Sequence, residues 1–225
     1  MKRLSLLFLM SMAATTLYSQ ITFTPKAGAS MSHMSLPSDF ADPGEDYTSK
    51  IGLIVGVAVE IPLMGELLSV QPELLFHQKG FKYKWESAGE MEEYKYTLNY
   101  IELPILAKVK FGKFYAVAGP SFGYGIGGKW EGKYTYSGGS ESYSGKVKFG
   151  ERPSNSNSDD DYFDNALDIC IQVGAGIKVS VVVIELRYGF GVTNVDDVYG
   201  GYTGSWKSKN GSLQLTVGVP LGGKK

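Results

Sequence analysis

The chain has 225 residues, 43% of them hydrophobic, with 29 glycines, 15 tyrosines, one cysteine, two histidines and a formal charge of −1. A single cysteine excludes an internal disulfide, and two histidines leave little material for a thiolate or imidazole metal cage. A near-neutral chain has no field for gathering nucleic acid, so no nucleic-acid partner is expected. Glycine well above its usual share of about 7% is an odd recipe for a soluble core.

The amino end reads as an export signal. Lys2 and Arg3 precede an apolar run over 4–14, and Leu17-Tyr18-Ser19-Gln20 closes in small or polar residues. The run is too short for a spanning helix. Cleavage after Ser19 is expected; it takes Lys2 and Arg3 from the formal charge of −1 and leaves −3. The expected organisation is a signal peptide over 1–19, an outer-membrane domain over 20–221 and a short basic tail over 222–225.

Apolar residues then recur at every second position, which predicts strands over 22–31, 51–61, 67–79, 94–109, 114–126, 166–178, 181–192 and 211–219. The connections at 62–66, 110–113 and 179–180 are tight, whereas 32–50, 80–93, 127–165 and 193–210 are long and polar. Short and long connections thus alternate. That layout predicts an all-β fold: an eight-stranded antiparallel transmembrane up-and-down β-barrel, with short periplasmic turns, long external loops and both termini periplasmic. Within the longest connection, 127–150 is rich in Gly, Ser, Lys and Tyr and could extend the strands as a hairpin. A mobile acidic tip is expected over 151–161, and Asp159-Asp160-Asp161 lacks the spacing of a calcium loop.

Period two also assigns faces. In 181–192, Val182, Ile184, Leu186, Tyr188 and Phe190 share one face and Val183, Glu185, Arg187 and Gly189 the other. In 166–178 the second face carries Asp168, Cys170, Gln172, Gly174, Gly176 and Lys178. With the apolar face in lipid, the polar face lines the lumen, and the predicted lumen charge network is Lys26, Glu60, Glu73, Glu102, Lys108, Lys178, Glu185 and Arg187. A soluble barrel with an apolar interior has the same period and would place these charges on its surface. Eight strands enclose a lumen just wide enough for side chains, so pairing is expected rather than a wide ion path. Gly56, Gly174, Gly176 and Gly189 make room for the long charged chains. Pro72 and Pro104 are expected at bulges or strand ends, and Phe76, Tyr100, Tyr124, Tyr188 and Phe190 suit interfacial girdles.

Two segments carry a family resemblance. Leu68-Ser69-Val70-Gln71-Pro72-Glu73-Leu74-Leu75-Phe76-His77-Gln78-Lys79-Gly80 and Leu98-Asn99-Tyr100-Ile101-Glu102-Leu103-Pro104-Ile105-Leu106-Ala107-Lys108, with the early Lys26-Ala27-Gly28, resemble the paired central-strand signature of the Bacteroidetes outer-membrane β-barrel family, often labelled PorT-like or porin family. The resemblance implies residence in the outer membrane, with outer-membrane lipid and the barrel-assembly machinery as partners. An extracellular or secretion-machinery protein is a further partner it brings into view. Its name-giving member is tied to type IX secretion, a role not carried over to this chain. The sequence departs from the usual aromatic ending, closing instead on Val219-Pro220-Leu221-Gly222-Gly223-Lys224-Lys225.

Chemistry-bearing residues are few. His33 and Ser35 fall together at the external rim with no acid fixed beside them. His77 is expected to pair with Glu73, and Cys170 to fill space. Gly123-Tyr124-Gly125-Ile126-Gly127-Gly128 lacks the following helix of a dinucleotide loop. The expectation is a protein that is not an enzyme and uses no cofactor, working by structure or by loop-mediated binding. A narrow solute channel or secretion accessory is the alternative, and a lipid-modifying enzyme is the remote one.

Overall fold

The computed structural model describes residues 21–35, 45–65, 67–150, 160–163, 165–194 and 208–222. The expected signal over 1–19, the tip over 151–159, residues 223–225 of the tail and most of the last long connection lie outside the described residues.

The chain forms β1 (Thr22–Ser35), β2 (Glu45–Met64), β3 (Leu68–Lys79), β4 (Phe81–Ser87), β5 (Glu90–Phe111), β6 (Phe114–Tyr136), β7 (Gly139–Phe149), β8 (Asp161–Phe163), β9 (Leu167–Val179), β10 (Val182–Gly191), β11 (Lys209–Gly218) and β12 (Leu221–Gly222). Pairing runs from β1 through β2, β3, β5, β6, β9, β10 and β11 and returns to β1, with Ala27 opposite Val55 on one side and Val217 on the other. Beyond this path, β4 sits between β2 and β5, β7 lies along the upper part of β6, β8 follows β7 and β12 pairs with the start of β1.

The predicted eight-stranded, wholly antiparallel up-and-down barrel is therefore corrected. The structure is a twelve-stranded sheet whose path branches at β1, β2, β5 and β6, contains the parallel pair β7–β8 and does not close evenly. Of the added strands, β4 and β8 arise in stretches predicted as connections, and β7 arises in the stretch 127–150 that the alternation marks as a hairpin extending the strands. Tyr83 and Trp85 on β4 and Tyr134 and Tyr136 at the far end of β6 alternate as strand residues do, and Tyr83 stands opposite both Tyr47 and Tyr94. Cross-strand aromatic pairs stabilise such ladders by several tenths of a kcal/mol each, ~0.2–1. That outweighs the loop-like composition around them.

Two glycines make the branching possible. Gly80, at φ +141°, links β3 to β4 where β2 and β5 exchange one partner for the next. Gly127, at φ +120°, lies where β6 leaves β9 and takes up β7. Only glycine adopts such conformations without steric cost. Pro72 and Pro104 sit beside gaps in the ladders: β3–β5 pairing passes from Pro72–Ile105 to Leu75–Glu102, and β5–β6 pairing from Pro104–Ser121 to Ala107–Ala118.

The two faces of the sheet are chemically opposite. Outward residues are apolar and exposed on successive strands: Ile51, Leu53 and Val55 on β2, Ile101, Leu103 and Ile105 on β5, Ile184 and Leu186 on β10, and Leu213, Leu215 and Val217 on β11. A soluble monomer rarely shows a continuous apolar surface of this extent. The inner face is filled in two ways. Around β4, β7 and β8 it holds Met34, Phe81, Tyr96, Leu98, Tyr100, Val147 and Phe163, with Tyr83, Tyr94, Trp130 and Phe149 against them. Toward the tight turns it holds charges, with a small apolar group of Leu106, Tyr115, Val117 and Val183.

Candidate functional site: the interior ion-pair network

Each charged side chain of the interior is put there by strand phase. On β10 the alternation buries Val183, Glu185, Arg187 and Gly189 while Ile184, Leu186 and Phe190 point out. On β3 it buries Gln71, Glu73, Leu75, His77 and Lys79. Lys26 comes from β1, Glu60 from β2, and Glu102 and Lys108 from β5.

Glu73 is the hub. It receives Lys26 Nζ at 3.2 Å, Arg187 Nη1 at 2.9 Å and Gln71 Nε2 at 2.6 Å, and Arg187 Nη2 also reaches its Oε1. Two guanidinium nitrogens on one carboxylate make the planar, forked arrangement that favours arginine over lysine. Lys26 Nζ also donates to Glu185 Oε1 at 2.7 Å, Arg187 pairs with Glu185 as well, and Arg187 Nη1 donates to Gln172 Oε1 at 3.2 Å. Through Gln71 the hub reaches Lys108, whose Nζ donates to Gln71 Oε1 at 2.9 Å and to Glu60 Oε2 at 3.0 Å. Ser69 Oγ donates to Glu60 Oε1 at 3.1 Å, and Lys110 pairs with the same carboxylate. Lys108 Nζ also lies 4.1 Å from the centre of the Tyr115 ring.

A second group lies farther from the tight turns. Lys79 Nζ donates to Asp168 Oδ2 at 2.8 Å and pairs with Glu102, while Asn210 Nδ2 donates to Asp168 Oδ2 at 3.0 Å. His77 Nδ1 lies 3.1 Å from Glu102 Oε2, so Glu102 takes the place expected for Glu73 beside this imidazole. Lys79 is 5.2 Å from the centre of the Tyr100 ring, which ties this group to the aromatic filling above it. Tyr100, expected in an interfacial girdle, is wholly buried on the inner face with its ring 5.5 Å from that of Phe149.

The structure brings Lys26, Glu60, Glu73, Lys108, Glu185 and Arg187 into one connected set and places Glu102 in the neighbouring group. Lys178 is the correction. It has the inward phase of Gln172 and Gly174 but stands at the Val179–Val182 end of β9, where the chain turns and the side chain is exposed. Lys79, Asp168, Gln71 and Gln172 were missing from the predicted network. The first two carry charge at inward positions of β3 and β9, so strand phase alone could have supplied them.

Glycine spacing is part of the packing. A Cβ on Gly174 would run into the Leu186 carbonyl oxygen and lie 2.7 Å from Arg187 Cγ, and one on Gly176 would enter the Tyr115 ring. A Cβ on Gly56 would run into the Leu74 carbonyl oxygen and lie 2.8 Å from Leu75 Cδ2, whereas one on Gly189 would have Ser212 Oγ as its nearest atom, at 3.1 Å.

The remaining candidates are spoken for. His33 Nε2 lies 3.5 Å from the Tyr188 hydroxyl, and Ser35 Oγ donates to the Lys209 carbonyl at 3.3 Å, so each turns to a different partner. Cys170 is buried, with Sγ 3.5 Å from Asp168 Oδ1. Asp160 pairs with Lys148 at 2.6 Å and Asp161 accepts from the Tyr96 hydroxyl at 2.9 Å; Asp159 lies outside the described residues. Among the described residues no group of three or more His, Cys, Asp or Glu side chains is disposed to hold a metal ion.

No curated protein matches the chain. Among solved structures the chain is similar to Ail, the attachment invasion locus protein of Yersinia pestis, at 14% identity over 90% of this chain and 99% of that one, with a TM-score of 0.35. It is also similar to Neisserial surface protein A, at 10% identity over 88% and 97% with a TM-score of 0.40, and to OprG of Pseudomonas aeruginosa, at 10% identity over 91% and 97% with a TM-score of 0.37. The model of the outer membrane protein beta-barrel domain matches residues 13–197, well over half of the chain. The chain belongs to the outer membrane protein beta-barrel domain family.

Proposed function

We propose that this β-rich outer-membrane protein is a non-enzymatic membrane anchor whose interior is sealed by paired charges and whose work is done by the sheet and loops at the β4, β7 and β8 end. The supporting observation is the pairing itself: Glu73 is held at once by Lys26, Arg187 and Gln71, and Lys26, Glu60, Glu73, Lys108, Glu185 and Arg187 are all buried. In this reading the outward apolar residues sit in lipid, the tight turns and both termini are periplasmic, and residues 1–19 are an export signal removed from the mature chain. In the same reading, the resemblance carried by segments 68–80 and 98–108 makes it a PorT-like member of its family. Insertion then depends on the barrel-assembly machinery, and the β4–β7–β8 end meets an extracellular or secretion-machinery protein.

Planar-bilayer recording of the purified protein tests the seal. Silence under voltage is the expected result; steady conductance steps would overturn it in favour of a narrow solute channel. Recovery of mature protein from the periplasm without detergent would overturn the membrane placement.

A further inference from the structure

Where β6 changes partner, the outer surface is notched. β6 pairs with β9 as far as Tyr124–Leu167, and the Gly125 N–H donates to the Ala166 carbonyl at 2.8 Å; from Gly128–Val147 onward its partner is β7. Between the two, a cleft of about 680 Å³ opens, lined by Tyr124, Ile126, Lys146 and Lys148 over the glycines 125, 127 and 128 and Phe149.

The two lips of this cleft differ in chemistry. One lip is apolar and outward, with Tyr124 62% and Ile126 54% exposed, and it continues the apolar outer face through Phe122 and Leu167. The other is cationic: Lys129 stands opposite Lys146 across β6–β7, and Lys148 follows two residues on. Carboxylates answer two of these lysines. Glu131 accepts from Lys129 at 2.7 Å and also pairs with Lys95 at 3.1 Å, and Asp160 accepts from Lys148 at 2.6 Å. Lys146 is exposed and forms no direct ion pair among the described residues, although the Asp160 carboxylate accepts from its backbone N–H and attracts its charge.

An exposed cation with no direct ion pair among the described residues, beside an outward apolar lip, fits a molecule with a hydrocarbon chain and an anionic head. We propose that the notch binds the phosphate-bearing headgroup of a membrane lipid, with Lys146 donating to the phosphate and an acyl chain lying along Ile126 and Tyr124. The charge complementarity selects the head, and continuity with the apolar outer face selects a lipid over a free anion. The assignment rests on the proposed membrane placement, since that placement puts Tyr124 and Ile126 beside acyl chains.

The test uses the full chain reconstituted in dioleoyl-phosphatidylcholine vesicles, checked by flotation, then taken into detergent and examined by native mass spectrometry with dioleoyl-phosphatidic acid or dioleoyl-phosphatidylcholine. One retained phosphatidic acid, preferred over phosphatidylcholine, is expected. Lys146→Glu should weaken that retention about fivefold or more, the size of one lysine at an anionic surface. Lys178→Glu, the same charge change at the opposite end of the sheet, should leave it unchanged. Equal retention of both lipids, equal loss in both variants, or displacement by millimolar inorganic phosphate would each overturn the proposal. A chain that fails to float overturns the membrane placement and the notch together; one that floats without lipid preference overturns the notch alone.

Discussion

The inner face is filled by charge near the tight turns and by aromatic rings near β4, β7 and β8, and the two fillings hold the same sheet by different physics. Around Glu73, partners come from β1, β3 and β10, so one carboxylate ties strands far apart in sequence. Desolvating these ions costs several kcal/mol apiece and is offset only while every partner stays in place. Around Tyr96 the contacts are rings: Phe81 stacks on it at 4.8 Å, Phe163 meets it edge-on at 5.9 Å, and Tyr83 packs on Tyr94 at 6.1 Å. Dispersion and area burial degrade gradually when one member is lost. The ionic region should therefore fail as a unit and the aromatic region locally.

The largest expected effect is at Arg187. Arg187→Leu leaves Glu73 and Glu185 buried with Lys26 as their remaining shared cation, and should cost about 3–5 kcal/mol, the usual loss on breaking a buried pair. Urea unfolding in lipid vesicles measures it. The double variant Glu73→Leu with Arg187→Leu should cost clearly less than the two single losses added together, because the orphaned charge goes with its partner. Strict additivity would show that the pair is not coupled.

Next comes Phe81→Ala, expected to cost about 3 kcal/mol by opening a cavity beside Tyr96 and Tyr47. Hydrogen exchange should locate the loss in β4 and the neighbouring part of β5 while β10 keeps its protection. Uniform loss across both strands would erase the contrast between the two regions. Gly174→Ala belongs to the ionic region but acts through volume. The new methyl meets the Leu186 carbonyl and Arg187 Cγ, for about 1–3 kcal/mol by thermal unfolding.

The ionic region was far more legible in the sequence than the aromatic one. Strand phase in β3, β5 and β10 put Glu73, Glu102, Glu185 and Arg187 on one face, because a period of two leaves no choice once a strand is recognised. It failed at Lys178, where a strand end releases the side chain, and it left out Lys79 and Asp168, whose inward phase was visible but whose link spans β3 to β9. The partner of His77 depended on how β3 registers against β5, which no local pattern fixes. At the other end, 80–93 shows only a brief alternation and is expected as a connection although it forms β4, whereas the alternating pieces of 127–150 point to the hairpin that β6 and β7 form. The strand character of β4 and β7 comes from the neighbours they meet: Tyr83 opposite Tyr94, and Gly132 opposite Tyr143.

The smallest effect belongs to the outer, solvated face of the aromatic region. Glu131 sits between Lys129 and Lys95, and its hydrogen bonds to Lys129 and then Lys95 hold its carboxyl below the usual carboxylate range. With the Glu131 side chain 42% and those of Lys95 and Lys129 47% and 60% exposed, the cluster is solvated and screened, so Glu131→Gln should change stability by less than about 1 kcal/mol. The sign follows from the depressed folded-state value. Whatever the carboxylate contributes is present above the ordinary glutamate range and fades as pH falls through its lowered pKa, so variant and parent should converge in acid. Added salt should shrink the difference as well, since exposed charges are screened over about 8–10 Å at physiological ionic strength. A difference that persists in both acid and high salt would place Glu131 among the tightly coupled groups of the interior and break the division between the two regions.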